Sequence, residues 1–227
     1  MCKVPYVSSR FSAAIATAIT LSLGGCSSNG NADYMQLFHY VQQSWSQKRS
    51  SVPLDQASAI PYASLGIRIS GGPEQMLVLA AQNGSDLTWT AASHILVTTR
   101  QGRIVSSFGL GHDISALTSL DAGDLSSPGL NISTARSENL VADFATLKLY
   151  SVPIVCTIAP VGPETISILG SEIRTLRVDE ACSAPQLHWS YVNSYWVDAD
   201  TKFVWRSSQT LSPDADPIEL EMLRPPS

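Results

Sequence analysis

From Ala63 to the C-terminus the chain runs in short apolar stretches punctuated by Gly, Asn and Pro, a rhythm that predicts strands. Leu65–Ile69, Met76–Ala81, Leu87–Ala91, Ile95–Thr99 and Ile104–Phe108 are each strand-sized, with turn signals at Gly71-Gly72-Pro73, Asn83-Gly84 and Gln101-Gly102. They predict an antiparallel meander. Ile114–Gly129 is less periodic and reads as a short helix or loop, a candidate seam between sheet halves. A second series follows at Thr146–Val152, Ile154–Ile158, Thr165–Leu169, Glu172–Val178, Leu187–Tyr191, Tyr195–Asp198, Phe203–Gln209 and Ile218–Leu223. About a dozen strands with almost no helix between them point to a mainly β fold, antiparallel meander sheets forming a barrel- or sandwich-like domain.

Upstream the period changes. Tyr34, Leu37, Phe38, Val41 and Trp45 recur at helical spacing behind Asp33, a good N-cap, and predict one N-terminal amphipathic helix of about 14 residues. A membrane-surface helix is the rival reading. Its polar face is rich in Gln and Ser rather than basic, which favours packing on the domain.

The first 25 residues read differently again. Lys3 and Arg10 make a basic start, Phe11–Leu23 is an uncharged apolar run of 13 residues, and Gly24 and Gly25 precede Cys26. A spanning helix needs about 20 apolar residues, so this is a signal-peptide core. Leu23-Gly24-Gly25-Cys26 resembles the lipobox of bacterial lipoproteins. That resemblance implies acylation of Cys26 as the first mature residue, a firm multi-chain anchor in the bilayer, and, from Ser27, sorting to the outer membrane. The expected organisation is a signal peptide over 1–25, a lipidated tether over 26–32 and a single β-rich domain over 33–227.

Charge and cysteines narrow the picture. Removing residues 1–25 leaves 202 residues with 12 basic and 19 acidic side chains, and no basic tract survives. Non-specific binding to nucleic acid is thereby disfavoured. Cys156 and Cys182 remain as thiols in an oxidising compartment with no Cys-x-x-Cys or His spacing, which favours a disulfide over a metal site, two separately buried thiols being the alternative.

Four stretches, in order, carry a wider resemblance: Ile60–Leu65 (IPYASL) with Gly71-Gly72-Pro73, Leu96–Val105 (LVTTRQGRIV), Asn193–Gln209 (NSYWVDADTKFVWRSSQ) and Ile218–Pro225 (IELEMLRP). Together, behind a lipobox, they resemble the YjbF-type lipoproteins of capsule and exopolysaccharide production. The resemblance implies a non-enzymatic role in making or exporting a surface polysaccharide, on the periplasmic face of the outer membrane. Its expected partners are outer-membrane and periplasmic polysaccharide export proteins, with polysaccharide itself a further candidate. Lys202 departs from the pattern, since the family's turn there often has glycine.

Catalytic chemistry finds little support. His39, His94, His112 and His188 sit in unrelated contexts without metal-ligand spacing, and no Gly-x-Ser-x-Gly elbow exists. His112-Asp113 reads as a polar loop, because neighbours in a turn seldom align as base and orienter. The carboxylate pairs Asp179/Glu180, Asp198/Asp200 and Glu219/Glu221 are of a kind any β-rich surface supplies, and Asp198 and Asp200 read as turn formers. No metal or cofactor is expected.

Aromatic clustering is the stronger signal. Trp189, Tyr191, Tyr195, Trp196, Phe203 and Trp205 lie on three consecutive predicted strands, and alternation puts Tyr195 and Val197 on one face and Trp196 on the other. One set fills the core, and Trp189, Trp196 and Arg206 are the candidate contact residues. Two readings compete with the accessory role. One is a lipid- or glycan-binding module in a half-open β-barrel, because the Tyr195–Asp198 hairpin with Thr201 and Arg206 is similar to strand pairs of periplasmic lipoprotein carriers. It requires an apolar cavity. The other is a polysaccharide-modifying enzyme, which requires a cleft with convergent carboxylates of shifted pKa.

Overall fold

The computed structural model describes residues 51–120, 125, 127–129 and 134–226. The signal segment, Cys26, the tether and the helix expected from Asp33 lie outside the described residues.

A short helix, α1 (Leu54–Ala59), leads into twelve strands: β1 Ser64–Ile69, β2 Gln75–Asn83, β3 Asp86–Thr90, β4 Leu96–Arg100, β5 Arg103–Phe108, β6 Ala116–Ser119, β7 Arg136–Phe144, β8 Leu149–Ile168, β9 Ser171–Ala184, β10 Trp189–Asp198, β11 Val204–Gln209 and β12 Ile218–Arg224. They form one antiparallel sheet in the order β5-β4-β3-β2-β1-β12-β11-β10-β9-β8-β7-β6. Two meanders, β1–β5 and β6–β12, are thus joined by the pairing of the first strand with the last, in register from Leu65↔Met222 to Ile69↔Ile218.

The sheet coils into a nearly closed barrel, and its two edges meet at the segment expected to be a seam. The Ser107 N–H of β5 donates to the Ile114 carbonyl just before β6 at 2.8 Å. At the other end of β5 a side chain does the joining. The Gln209 amide, from β11, accepts from the Ile104 N–H and donates to the Gly102 carbonyl, both at 2.9 Å. A side-chain amide carries the same donor and acceptor as a peptide group, so Gln209 satisfies edge backbone that would otherwise be buried unpaired.

The first meander follows the expected strands. The second differs in three ways: the expected Leu187–Tyr191 and Tyr195–Asp198 run on as one strand, β10, and two further changes concern β6 to β8. Three expected segments, Thr146–Val152, Ile154–Ile158 and Thr165–Leu169, fuse into β8 despite Pro153, Pro160 and Pro163, because a register shift at Pro160/Gly162 absorbs the break and bends the β8–β9 hairpin. β6 and β7 were not expected. β7 shows a clean alternation, with Glu138, Leu140, Ala142 and Phe144 buried, but its first buried residue is charged, so the apolar period is too short to stand out.

The barrel side of the sheet is packed solid over most of its length, with Ile67, Leu77, Trp89, Val97 and Phe144 fully buried. Each such side chain contributes about 1.5–3 kcal/mol by leaving water. Cys156 and Cys182 are directly opposed on β8 and β9 and form a disulfide inside this core.

Gly102 turns β4 into β5 with φ of +87°, and a Cβ there would lie 2.5 Å from the Val204 Cβ. Gly102→Ala should therefore push β5 off β11 and lower stability by about 1–3 kcal/mol, seen as a lower urea midpoint at unchanged m-value. A midpoint within error of the parent would show that β5 is not held against β11.

Candidate functional site

Alternation along β10 decides what faces outward. Tyr195 and Val197 are fully buried on the core side, and Trp196 between them projects from the outer face, half-buried. Cross-strand register then sets its neighbours: Trp196 is opposite Arg177 on β9 and Arg206 on β11. Both guanidinium groups lie over the indole, with their carbons 5.7 and 5.8 Å from the ring centroid, so one aromatic is flanked by two cations.

Each cation is also matched by a carboxylate. Arg177 makes a forked pair with Asp179 at 2.9 and 3.1 Å. Arg206 pairs with Glu221 on β12 at 2.8 Å and donates to the Ser167 carbonyl at 2.9 Å, tying the β8–β9 hairpin over the outer face. Further along, Arg68 on β1 pairs with Glu219 at 2.5 Å and lies 3.9 Å from Glu74. Glu74 fits only because position 66 is glycine; a Cβ there would be 2.5 Å from its Oε1. From that position it accepts the Val52 N–H at 2.7 Å, which holds the strap Ser51–Leu54 in place.

These groups line a polar recess of about 970 Å³ between the strap, the hairpin tip at Leu169-Gly170 and the outer face of the sheet. Burial, more than the nearby Arg206 cation offsets, raises the Glu221 carboxyl above its ordinary range.

Of the three residues expected to share a contact surface, the structure brings two together. Trp196 and Arg206 are neighbours on the outer face. Trp189 is a correction: it lies on the core side, stacked on Tyr191 at a centroid distance of 4.1 Å and edge-on to Phe144 at 6.1 Å. Its position seven residues before Trp196 explains the split, since an odd separation along a strand puts side chains on opposite faces. Arg177 and Arg68 escaped the sequence reading, because only register brings them beside Trp196 and Glu219.

On the core side an apolar cavity of about 420 Å³ is lined by Leu65, Leu87, Phe203, Trp205, Leu220 and Met222. Phe203 and Trp205 meet edge-on at 5.0 Å along its wall, on one face as alternation required. Lys202 takes φ of +64°, the left-handed conformation that a glycine adopts more readily.

A second polar cluster is buried. Arg103 on β5 donates to Glu180 on β9 at 2.5 Å and to Glu138 on β7 at 3.2 Å, while Tyr195 and Asn193 each donate to the other Glu180 oxygen at 2.9 Å. Burial by itself disfavours the Arg103 cation, but the Glu180 carboxylate, with Tyr195 and Glu138, outweighs it and holds the guanidinium charged. Burial first, then Glu180, pushes the Tyr195 phenol well above its usual range, so it remains a donor. Glu180 also sits beside Cys156 and Cys182, whose sulfurs are bonded to each other.

The remaining polar candidates shape turns. Asp113 accepts from the Ser107 hydroxyl and the Gly109 and Leu110 N–H groups, leaving His112 as its loop neighbour. Asp198 accepts from the Thr201 and Asp200 N–H groups, and the Thr201 bond first of all lowers its pKa. His94 and His188 occupy left-handed positions in turns.

Comparison with known proteins places this architecture. The family model for group 4 capsule polysaccharide lipoproteins of the gfcB/YjbF type matches residues 36–223. The lipoprotein YjbF of Escherichia coli K12 is 23% identical over 170 residues, 75% of this chain and 79% of the relative. GfcB of the same organism is 22% identical over 172 residues, covering 75% and 79%. The crystal structure of the lipoprotein YmcC from Escherichia coli K12 superposes with a TM-score of 0.65 at 20% identity, over 89% of this chain and 99% of that one, so the fold is shared.

Proposed function

The chain belongs to the YjbF/GfcB family of group 4 capsule polysaccharide lipoproteins, and from that premise we propose that it is a non-enzymatic accessory component of capsule or exopolysaccharide production. It is anchored to the outer membrane through acyl chains on Cys26 and carries its single β-rich domain on a short tether at the periplasmic face. Among the described residues no helix is long and apolar enough to cross a membrane.

The observation that carries an interaction role is the outer-face row Arg177–Trp196–Arg206. Trp and Arg are enriched where proteins meet partners, and here they stand together on a strand face that the barrel core does not need. The carboxylates around them are engaged by guanidinium groups, which favours binding over acid–base chemistry.

Pull-down of the lipidated protein from its own membranes in mild detergent tests this, with Cys26→Ala as the control. The expected result is recovery of outer-membrane and periplasmic polysaccharide export proteins, lost with Trp196→Ala or Arg206→Ala. Recovery of no such protein, or of the same set with both variants, overturns it.

The core-side cavity favours a second reading, a carrier of lipid or glycan. Lipid extracted from the purified protein and lost with Leu220→Trp, which fills the cavity, would move that reading to first place.

A further inference from the structure

We infer that the outer-face recess is a binding site for a neutral saccharide chain. The inference rests on the accessory reading above and names what this surface takes. The charge balance comes first. Arg68, Arg177 and Arg206 are each paired with a carboxylate, and with Glu74 the acids outnumber the bases, so the recess holds no spare positive charge for an anionic polymer. Its lining is equally unsuited to an acyl chain, since hydroxyls of Ser167, Ser194 and Ser208 alternate with the charged groups and the indole is the single aromatic among its described lining residues.

The second observation points to a ligand rich in acceptors. The Arg68 side chain is 6% exposed, and its Nε–H has no acceptor among the described residues. The same is true of the Arg206 Nε–H and the Trp196 Nε1–H, so three donors at one recess lack partners. A buried donor left unpaired carries the cost of its lost hydration, and a ligand that supplies acceptors recovers that cost on binding. Sugar hydroxyls do this while also donating to carboxylates such as Glu219 and Glu221. Size agrees: about 970 Å³ is at the upper end for small-molecule sites and accommodates several rings of a chain entering between strap and hairpin.

The test uses the full lipidated chain in a non-glycosidic detergent, applied to a glycan array. The array carries neutral and uronic-acid-containing bacterial polysaccharides, together with the surface polymer of the protein's own cells. Binding to neutral glycans is expected, weakened roughly tenfold or more by Trp196→Ala. Ser208→Phe serves as the second variant, because Ser208 lines the recess opposite Glu219 and a phenyl ring there would fill it. Phe108→Ala, at an exposed residue of β5, should bind as the parent does.

Absence of neutral-glycan binding, preference for the acidic polymers, or binding that survives both recess variants overturns the inference. The two readings fail separately. Export proteins retrieved without glycan binding remove the saccharide site and leave the accessory role. Glycan binding without any such partner does the reverse.

Discussion

Replacing Arg103 with methionine should cost about 3–5 kcal/mol, a large part of the stability of a typical domain. The substitution keeps volume but takes from Glu138 and Glu180, both almost wholly buried, the guanidinium that pairs with each, leaving Arg136 as a neighbouring cation. Adding Glu138→Gln and Glu180→Gln should restore most of the loss, since a neutral buried group no longer needs a cation. Urea unfolding of the three proteins at pH 7 checks this. An Arg103→Met protein as stable as the parent at pH 7 would show that the cluster does not hold β5 to β7 and β9.

Breaking the Cys156–Cys182 bond has the second largest expected effect. The residues are separated by 26 positions, and closing a loop of that length removes about 3–4 kcal/mol of unfolded-state entropy. The double variant Cys156→Ala, Cys182→Ala should melt roughly 7–14 °C below the parent. Non-reducing peptide mapping of the exported protein should find the one cross-linked pair. Both sulfurs are buried, so reductant should act on the folded protein slowly, at the rate of opening. Two free thiols in the exported protein, or a melting temperature unchanged by the double variant, would overturn the assignment. The disulfide and the Arg103 cluster share Glu180 as a neighbour, so their effects should not add fully.

Much of the fold was legible. The strands of the first meander, the disulfide and the seam near Ile114 all follow from short apolar runs, turn residues and cysteine count. So does the outward direction of Trp196, because the side-chain period of a strand is two wherever the strand ends up. Trp189 misled because it was grouped with Trp196 by proximity in sequence, and proximity says nothing about face unless the separation is counted as odd or even. β7 was missed for a related reason. Its first core position is Glu138, and a charged residue in an apolar alternation hides the strand until a partner for it is known.

That partner is what no stretch of the chain contains. Arg103 and Glu180 are 77 residues apart, Arg68 and Glu219 are 151 apart, and both pairs exist because β1 zips to β12 and coils the sheet until β5 returns to β11. The chain by itself determined the strands of the first meander, the alternation of faces along a strand and the turn at Asp198, since these depend on local periodicity and on hydrogen bonds within a few residues. The tertiary structure alone decided which faces became recess and core. The sheet's register and closure are non-local, and they choose the charges that meet beside Trp196 and beneath β5.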